Sequence, residues 1–399
     1  MKRAVIILPL LLATLVLAGP AAQSADVPEP NKAPAKKVPA SAKPKVKELT
    51  AEGVEAIRKG LAWLARNQNK DGSWTSDVGY KLNESYVVEK QRAGHPGVTA
   101  LAGMSFLAGG HLPGRGKYGE HVRDAVRFIL TCVNTDGMIT KNGSRMYSHA
   151  FATLFLAEVY GMTRDAEVRK ALNKAAQFTF KCQNTAGGWR YAPYAQDSDM
   201  SITVCQVMAL RAARNIGIRV PKESIERAVN YVLESANTRQ GPENGSFQYQ
   251  YRQQNQIPTR NSFALTAAGL ATLYMAGLYS DHDIQDHIRK NKITRFIGAR
   301  RPPRIETILD YINRLYDLTY RMHSRNYFFY YGNYYAVQAL FTHGGERWER
   351  YFKRLQGHLV AMQEKDGAWP IRYVGKAYST ASATLILQVP YRYLPIFER

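Results

Sequence analysis

Cysteine is scarce in this 399-residue chain: it occurs at Cys132, Cys182 and Cys205 and nowhere else. An odd number excludes a fully paired disulfide framework and leaves at least one free thiol. All three lie in apolar, helix-like surroundings, which predicts buried and inert thiols. No HxxxH or Asp-x-Cys spacing accompanies the nine histidines, so no metal and no cofactor is implied. Long apolar runs are also missing. Beyond the first residues no stretch reaches about 18 apolar positions, which predicts a soluble mature chain. Acidic residues are few, 32 against 54 Lys and Arg, for a formal charge of +22.

What is present begins with a targeting pattern. Lys2 and Arg3 form a basic start, Ile6 to Ala18 is apolar, and Ala22 and Ser24 supply small residues for cleavage. This predicts a signal peptide over 1–24 and an exported, periplasmic or extracellular protein, with an uncleaved anchor as the alternative. Residues 25–48 are rich in Pro, Ala and Lys and read as a disordered linker. Residues 49–399 then form one folded domain. Without the two charges of the signal and the net three of the linker, +17 remains. Such a charge favours anionic lipid headgroups or polyanionic glycans. The densest patch, 287–304, holds seven Lys or Arg and no acid, a candidate contact for an anionic membrane surface. An exported protein seldom meets nucleic acid, so nucleic acid is not an expected partner.

Trp is rare, at five, yet three of the five occupy one repeated turn. "QNKDGSW" carries Gln68, Gly72 and Trp74; "QNTAGGW" carries Gln183, Gly187 and Trp189; "QEKDGAW" carries Gln363, Gly367 and Trp369. "VNTDGMI" (133–139) and "GPENGSF" (241–247) are weaker copies. Internal repetition outranks local signals in choosing a fold. Gly after a helix supplies the left-handed residue that ends it. The aromatic folds back onto the apolar layer, and Gln serves loose backbone groups. These roles are structural.

Amphipathic helices are expected before the turns, at about 51–67, 119–133, 165–182, 222–236 and 346–363. A further one at about 305–320 lacks the turn. A second set, apolar almost all round, follows: 97–110, 149–161, 201–217, 262–277, 333–345 and 379–389. Helices apolar on every side are buried. Six buried helices alternating with six amphipathic ones predict an all-α, α6/α6 toroid, a double ring built from helix hairpins. The inner helices run parallel, so their N-termini gather at one mouth.

Residues just before or at the start of each inner helix line that mouth: His95, Tyr147, His149, Asp197, Asp199, Arg260, Asn261, Tyr330, Tyr331, Asn333 and Tyr378, with Tyr191 and Tyr194 close by. A concave aromatic site with a few polar groups is a binding pocket. Asp197 and Asp199 read either as helix caps or as a carboxylate pair with separated pKa values, one held protonated as a general acid. The run 326–335, "NYFFYYGNYY", is either a ligand-stacking wall or packed core.

The turns and the six-by-six pattern, over roughly residues 50–395, resemble the squalene–hopene cyclase and protein prenyltransferase superfamily. Cyclases of that family carry Asp-x-Asp-Asp, whose middle Asp protonates a polyisoprene double bond. "DSDM" (197–200) matches it at Asp197 and Asp199, with Met200 in place of the last Asp. The resemblance implies Asp199 as proton donor and Asp197 as its helper. The chain departs from the family in having one barrel rather than two, and in lacking the prenyltransferase zinc ligands.

Three functions follow as expectations. The first is binding of, or acid chemistry on, an isoprenoid or other lipid in an aromatic central pocket. The second is a glycan-binding or glycan-degrading toroid, with Asp197, Asp199, Arg145, Arg252 and Arg260 as its polar groups. The third is a non-catalytic scaffold. A deep aromatic cavity favours lipid, an open polar groove favours glycan, and a filled centre favours the scaffold.

Overall fold

The apolar runs contain Ala, Leu and Met with little to compete for their backbone, so helix is their cheapest state. The computed structural model describes residues 49–82, 85–250, 262–296, 300–392 and 394. These hold thirteen α-helices and one hairpin. In order they are α1 (Ala51–Arg66), β1 (Thr75–Leu82), β2 (Ser85–Gly94), α2 (Pro96–Ala108), α3 (Gly119–Thr131), α4 (Met146–Thr163), α5 (Ala166–Lys181) and α6 (Met200–Asn215). There follow α7 (Lys222–Glu234), α8 (Phe263–Met275), α9 (Asp281–Lys290), α10 (Ile305–His323), α11 (Tyr327–His343), α12 (Gly345–Met362) and α13 (Lys376–Gln388). The expected signal peptide (1–24) and the expected linker (25–48), together with Arg252, Arg260 and Asn261, lie outside the described residues.

The inner ring runs α2, α4, α6, α8, α11, α13 and closes from α13 back onto α2. Every residue of α2 is buried. The outer ring is α1, α3, α5, α7, α10 and α12, each burying one stripe, such as Val122, Ala125, Val126 and Ile129 of α3. The chain is therefore an α/α toroid. Among the described residues no helix is long and apolar enough to cross a membrane.

The repeated turn explains how neighbouring hairpins lock. In each strong copy the Gln amide donates to its own turn's Gly carbonyl and to an outer helix two places on. Gln68 reaches His121 of α3, Gln183 reaches Ser224 of α7, and Gln363 reaches Ala56 of α1, all at 2.8–2.9 Å. The Trp indole donates back to its own helix, from Trp74 to Leu64, Trp189 to Thr179 and Trp369 to Leu359. The turn Gly has positive φ, +86° at Gly72, where a side chain is strained. A Cβ on Gly72 would sit 2.2 Å from the Asp124 carbonyl oxygen of α3. Gly137, Gly187, Gly245 and Gly367 press on α5, α7, α10 and α1 in the same way. The α10–α11 junction lacks this turn and is made by Asn326 instead, whose side chain caps α11 at the Phe328 amide.

Three differences from the sequence expectation have physical causes. First, α4, α11 and α13 start three to six residues early, at Met146, Tyr327 and Lys376, so Tyr147, Tyr330, Tyr331 and Tyr378 are helical rather than loop residues. Second, α9 is short and polar, and it begins at a capping box made by Ser280 and Asp283 rather than at an apolar stripe. Third, β1 and β2 pair antiparallel from Thr75↔Gly94 to Leu82↔Ser85 in a segment with little apolar content. Tertiary contacts hold this hairpin. The Asp77 amide donates to the Val374 carbonyl at 2.8 Å, Glu89 pairs with Arg145, and the Arg145 guanidinium lies 3.9 Å over the Tyr80 ring.

Candidate functional site

The first turns of the inner helices meet at one end. Gly97 of α2 packs on Ser148 of α4, Tyr147 of α4 faces Tyr331 of α11, and the Tyr378 hydroxyl of α13 donates to the Tyr327 carbonyl. This end is the mouth. Its walls are half-buried tyrosines: Tyr86, Tyr147, Tyr191, Tyr249, Tyr331 and Tyr378.

Asp199 is the N-cap of α6 and is 0% exposed. One carboxylate oxygen accepts from the Ser201 hydroxyl at 2.5 Å and the Ile202 amide at 3.0 Å. The other accepts from Arg190 Nη1 at 2.6 Å. Arg190 Nε meets Asp197 at 3.0 Å, and the Asp197 side chain is 52% exposed. Arg190 also donates to the Tyr249 hydroxyl at 2.8 Å, and Tyr249 shares a 2.6 Å hydrogen bond with Tyr191. A guanidinium thus joins a buried carboxylate, a solvent-facing carboxylate and a phenol pair. Burial, then the charge of Asp199, pushes the Tyr191 phenol up to about 12. Burial raises Tyr147 and Tyr331 well above the ordinary phenol range. All of these hydroxyls stay protonated near neutrality and remain able to donate.

Below this layer the axis is filled from α11. Tyr331 donates to the Ser201 carbonyl at 3.0 Å, Tyr335 pairs with Cys205 at 3.0 Å, and Tyr334 reaches Met208 at 3.8 Å. Across the ring, Tyr331 faces Tyr147 and Tyr334 faces Phe151, with centroids 6.2 and 5.9 Å apart. Cys132, Cys182 and Cys205 are free and buried.

Other residues proposed for the mouth face elsewhere. His149 is fully buried and points at the outer ring. Its Nδ1 accepts from the Ile139 amide at 3.0 Å, so Nε2 carries the proton and donates to Thr179 of α5 at 2.8 Å. The amides of Trp74, Trp189, Phe247 and Trp369 are met the same way by Thr99, Thr203, Thr266 and Thr380. His149 therefore occupies the threonine position of its repeat. His95 caps α2, accepting from the Val98 amide. Asn333 accepts from Tyr351 of α12 at 2.7 Å, and Tyr330 donates to the Pro370 carbonyl at 2.9 Å; both are buried in the seam between the rings. Tyr194 is 59% exposed, has φ of 57°, and sets its ring edge against Phe178. Met200, in the place of the third cyclase aspartate, is core.

Arg190 and Tyr249 escaped the sequence reading. The one signal for Arg190 was its place directly after the Trp of a turn. Tyr249 had none. Among the described residues no group of three His, Cys, Asp or Glu is arranged to hold a metal. The basic patch is partly engaged internally: Arg289 pairs with Asp286, Arg304 with Asp281, and Arg295 donates to the Glu234 and Ala236 carbonyls.

Fold and mouth together define a protein of the α/α-toroid class. Among solved structures, an α-1,6-mannanase of Salegentibacter sp. superposes with a TM-score of 0.56 at 9% identity, over 85% of this chain and 99% of that one. That structure is an inactive variant with two aspartates replaced by asparagine, in complex with α-1,6-mannotriose. An α-amylase from Clostridium perfringens gives 0.54 at 12% identity, over 84% and 97%. The type II terpene cyclase MstE from Scytonema gives 0.50 at 13% identity, over 88% and 100%. At such identities the likeness is one of fold, and function lives in the site grafted on it. No family model matches the chain, and no curated protein sequence matches it.

Proposed function

We propose that the mouth binds a glycan, with Asp197, Arg190 and the tyrosines around them as its contact surface. The observation that carries this reading is the polar, aromatic surface of the mouth, where solvent-facing Asp197 and Arg190 stand beside the Tyr249–Tyr191 pair, above an axis that offers a lipid no deep chamber. Tyr331 and Tyr334 reach from α11 to Tyr147 and Phe151 of the opposite wall, which leaves recognition to the surface of the mouth. Acid-initiated cyclisation of an isoprenoid calls for a deep chamber and a carboxyl with a proton to give. Asp199 instead has both oxygens accepting from donors.

A sugar asks for what the mouth offers. Tyrosine faces stack on the apolar side of a pyranose ring, and their hydroxyls exchange hydrogen bonds with its edges. Charge-assisted bonds from an Arg–carboxylate pair are about twice as strong as neutral ones. In this reading Asp197 touches the ligand, while Asp199 positions Arg190. The mannanase with its bound mannotriose is a precedent for a toroid that holds sugar. An exported chain would meet glycans outside the cytoplasm.

The test is affinity electrophoresis of the purified chain in gels carrying neutral or acidic polysaccharides, beside native mass spectrometry for co-purified lipid. Retardation by a glycan is expected. Asp197→Asn and Tyr191→Ala should each weaken it about tenfold, equivalent to about 1.4 kcal/mol. A bound prenyl lipid together with unchanged mobility in every glycan gel would replace this reading with the isoprenoid one.

A further inference from the structure

We infer that the glycan is acidic, and that Arg92, Arg325 and Arg372 form the subsite for its carboxylate or sulfate groups. This rests on the glycan reading of the mouth and names the ligand class within it. Arg325 precedes the cap of α11, and Arg372 lies in the loop before α13. The Arg372 amide donates to the Arg325 carbonyl at 2.8 Å, which fixes the two residues as neighbours. The hairpin brings the third. The Arg92 amide donates to Asp77 Oδ1 at 3.1 Å, and the Asp77 amide donates to Val374, two residues from Arg372. All three arginines are exposed. Among the described residues, none of their guanidinium groups has a carboxylate partner.

Nearby carboxylates are already engaged. Asp77 accepts the Arg92 amide, Glu89 pairs with Arg145, and Lys376 holds Glu364 and Asp366. Against these four carboxylates stand five cations, Arg92, Arg145, Arg325, Arg372 and Lys376, so the named groups keep a small positive excess, and of the five only Arg92, Arg325 and Arg372 have no carboxylate partner among the described residues. This stretch adjoins aromatic surface: the Arg372 guanidinium lies 5.2 Å over the Tyr373 ring, and Tyr86 of the hairpin packs 6.1 Å from Tyr327. Arginine forks match carboxylate and sulfate geometry in a way that bulk positive charge does not. A polymer with one anion per sugar, or per alternate sugar, presents such groups at regular spacing beside rings that stack on tyrosine. A neutral glycan leaves three arginines without a role.

The experiment measures binding of the purified chain to soluble polyuronate and to a neutral glucan by affinity electrophoresis across a salt series. It compares the wild type with Arg325→Gln/Arg372→Gln and with Arg350→Gln on the outer wall, each checked for an unchanged thermal midpoint. Polyuronate should bind at least about tenfold more tightly than glucan near 50 mM salt, with most of the margin lost near 500 mM as screening shortens to a few ångström. The double variant should lose about fivefold or more for polyuronate and nothing for glucan, while Arg350→Gln changes neither. Equal binding of glucan and polyuronate with one salt dependence would overturn the inference and leave the glycan reading standing. Binding of neither polymer would overturn both. Capture by anionic phospholipid vesicles in place of polyuronate would also overturn it.

Discussion

The Tyr331 hydroxyl of α11 donates to the Ser201 carbonyl of α6 at 3.0 Å, and this bond ties two inner helices that are not ring neighbours. It also places a tyrosine ring on the axis. Tyr331→Phe keeps the ring and loses the bond, an expected cost of about 1 kcal/mol. Tyr331→Ala removes the plug at about 3 kcal/mol. Urea unfolding distinguishes them, and equal small losses would mean that the ring does not fill the axis.

Asp199 and Arg190 form a pair with one partner wholly buried. Removing the carboxylate leaves Arg190 with Asp197 and Tyr249 as its remaining partners and uncaps α6, so Asp199→Ala should cost about 2–3 kcal/mol. Asp199→Asn keeps a cap acceptor and should cost less, about 1–2 kcal/mol. Asp197→Asn, at an exposed site, should stay within about 0.5 kcal/mol. Calorimetric midpoints should therefore fall most for Asp199→Ala, less for Asp199→Asn and least for Asp197→Asn. An inverted order would sink the ion-pair assignment.

Burial pushes His95 and His149 down to about 4. Both are neutral when folded and titrate near 6.5 when unfolded, so the unfolded chain binds more protons between those values. Their contribution is complete above pH 6.5 and is lost as pH falls towards 4. Between pH 7 and pH 5 each should cost about 2 kcal/mol. His149→Thr restores the threonine of the other repeats and should remove about half of this acid loss. Urea midpoints at the two pH values measure it; an unchanged pH dependence in the variant would contradict the assignment.

Gly72 and Gly217 share a positive φ, +86° and +88°, but not their surroundings. Nothing lies within 4 Å of a Cβ at Gly217, whereas the Asp124 carbonyl oxygen lies 2.2 Å from one at Gly72. Gly217→Ala should cost about 1 kcal/mol, the left-handed penalty alone. Gly72→Ala adds a backbone collision and should cost at least about 2 kcal/mol more. Similar thermal shifts for both would show that the turn does not press on α3.

Burial pushes the Cys132 thiol up to about 11 and Cys205 up to about 12. Thiolate is the reacting species, so both should be silent to a disulfide reagent at pH 8 in the native chain and react in denaturant. Fast native labelling of Cys205 would show that the axis is open.

The periodicity of the chain determined most of its architecture. Apolar runs such as 262–277 have no polar face, so burial is their one stable placement, and the alternation with helices such as 51–67 leaves two concentric rings. The Gln–Gly–Trp turns marked the corners because each residue type there answers a local backbone need. What the sequence left open depends on contacts between distant residues. The polar segment 75–94 becomes a hairpin because Val374 and Arg145 hold it. His149 faces outward because Ile139 and Thr179 meet its two nitrogens. Asp197 and Asp199 stand one residue apart in sequence, yet one is solvent-facing and the other sealed, because Arg190 and the first turn of α6 enclose only the second. Periodicity sets which face of a helix is buried, whereas partners across the fold set what each buried polar group does.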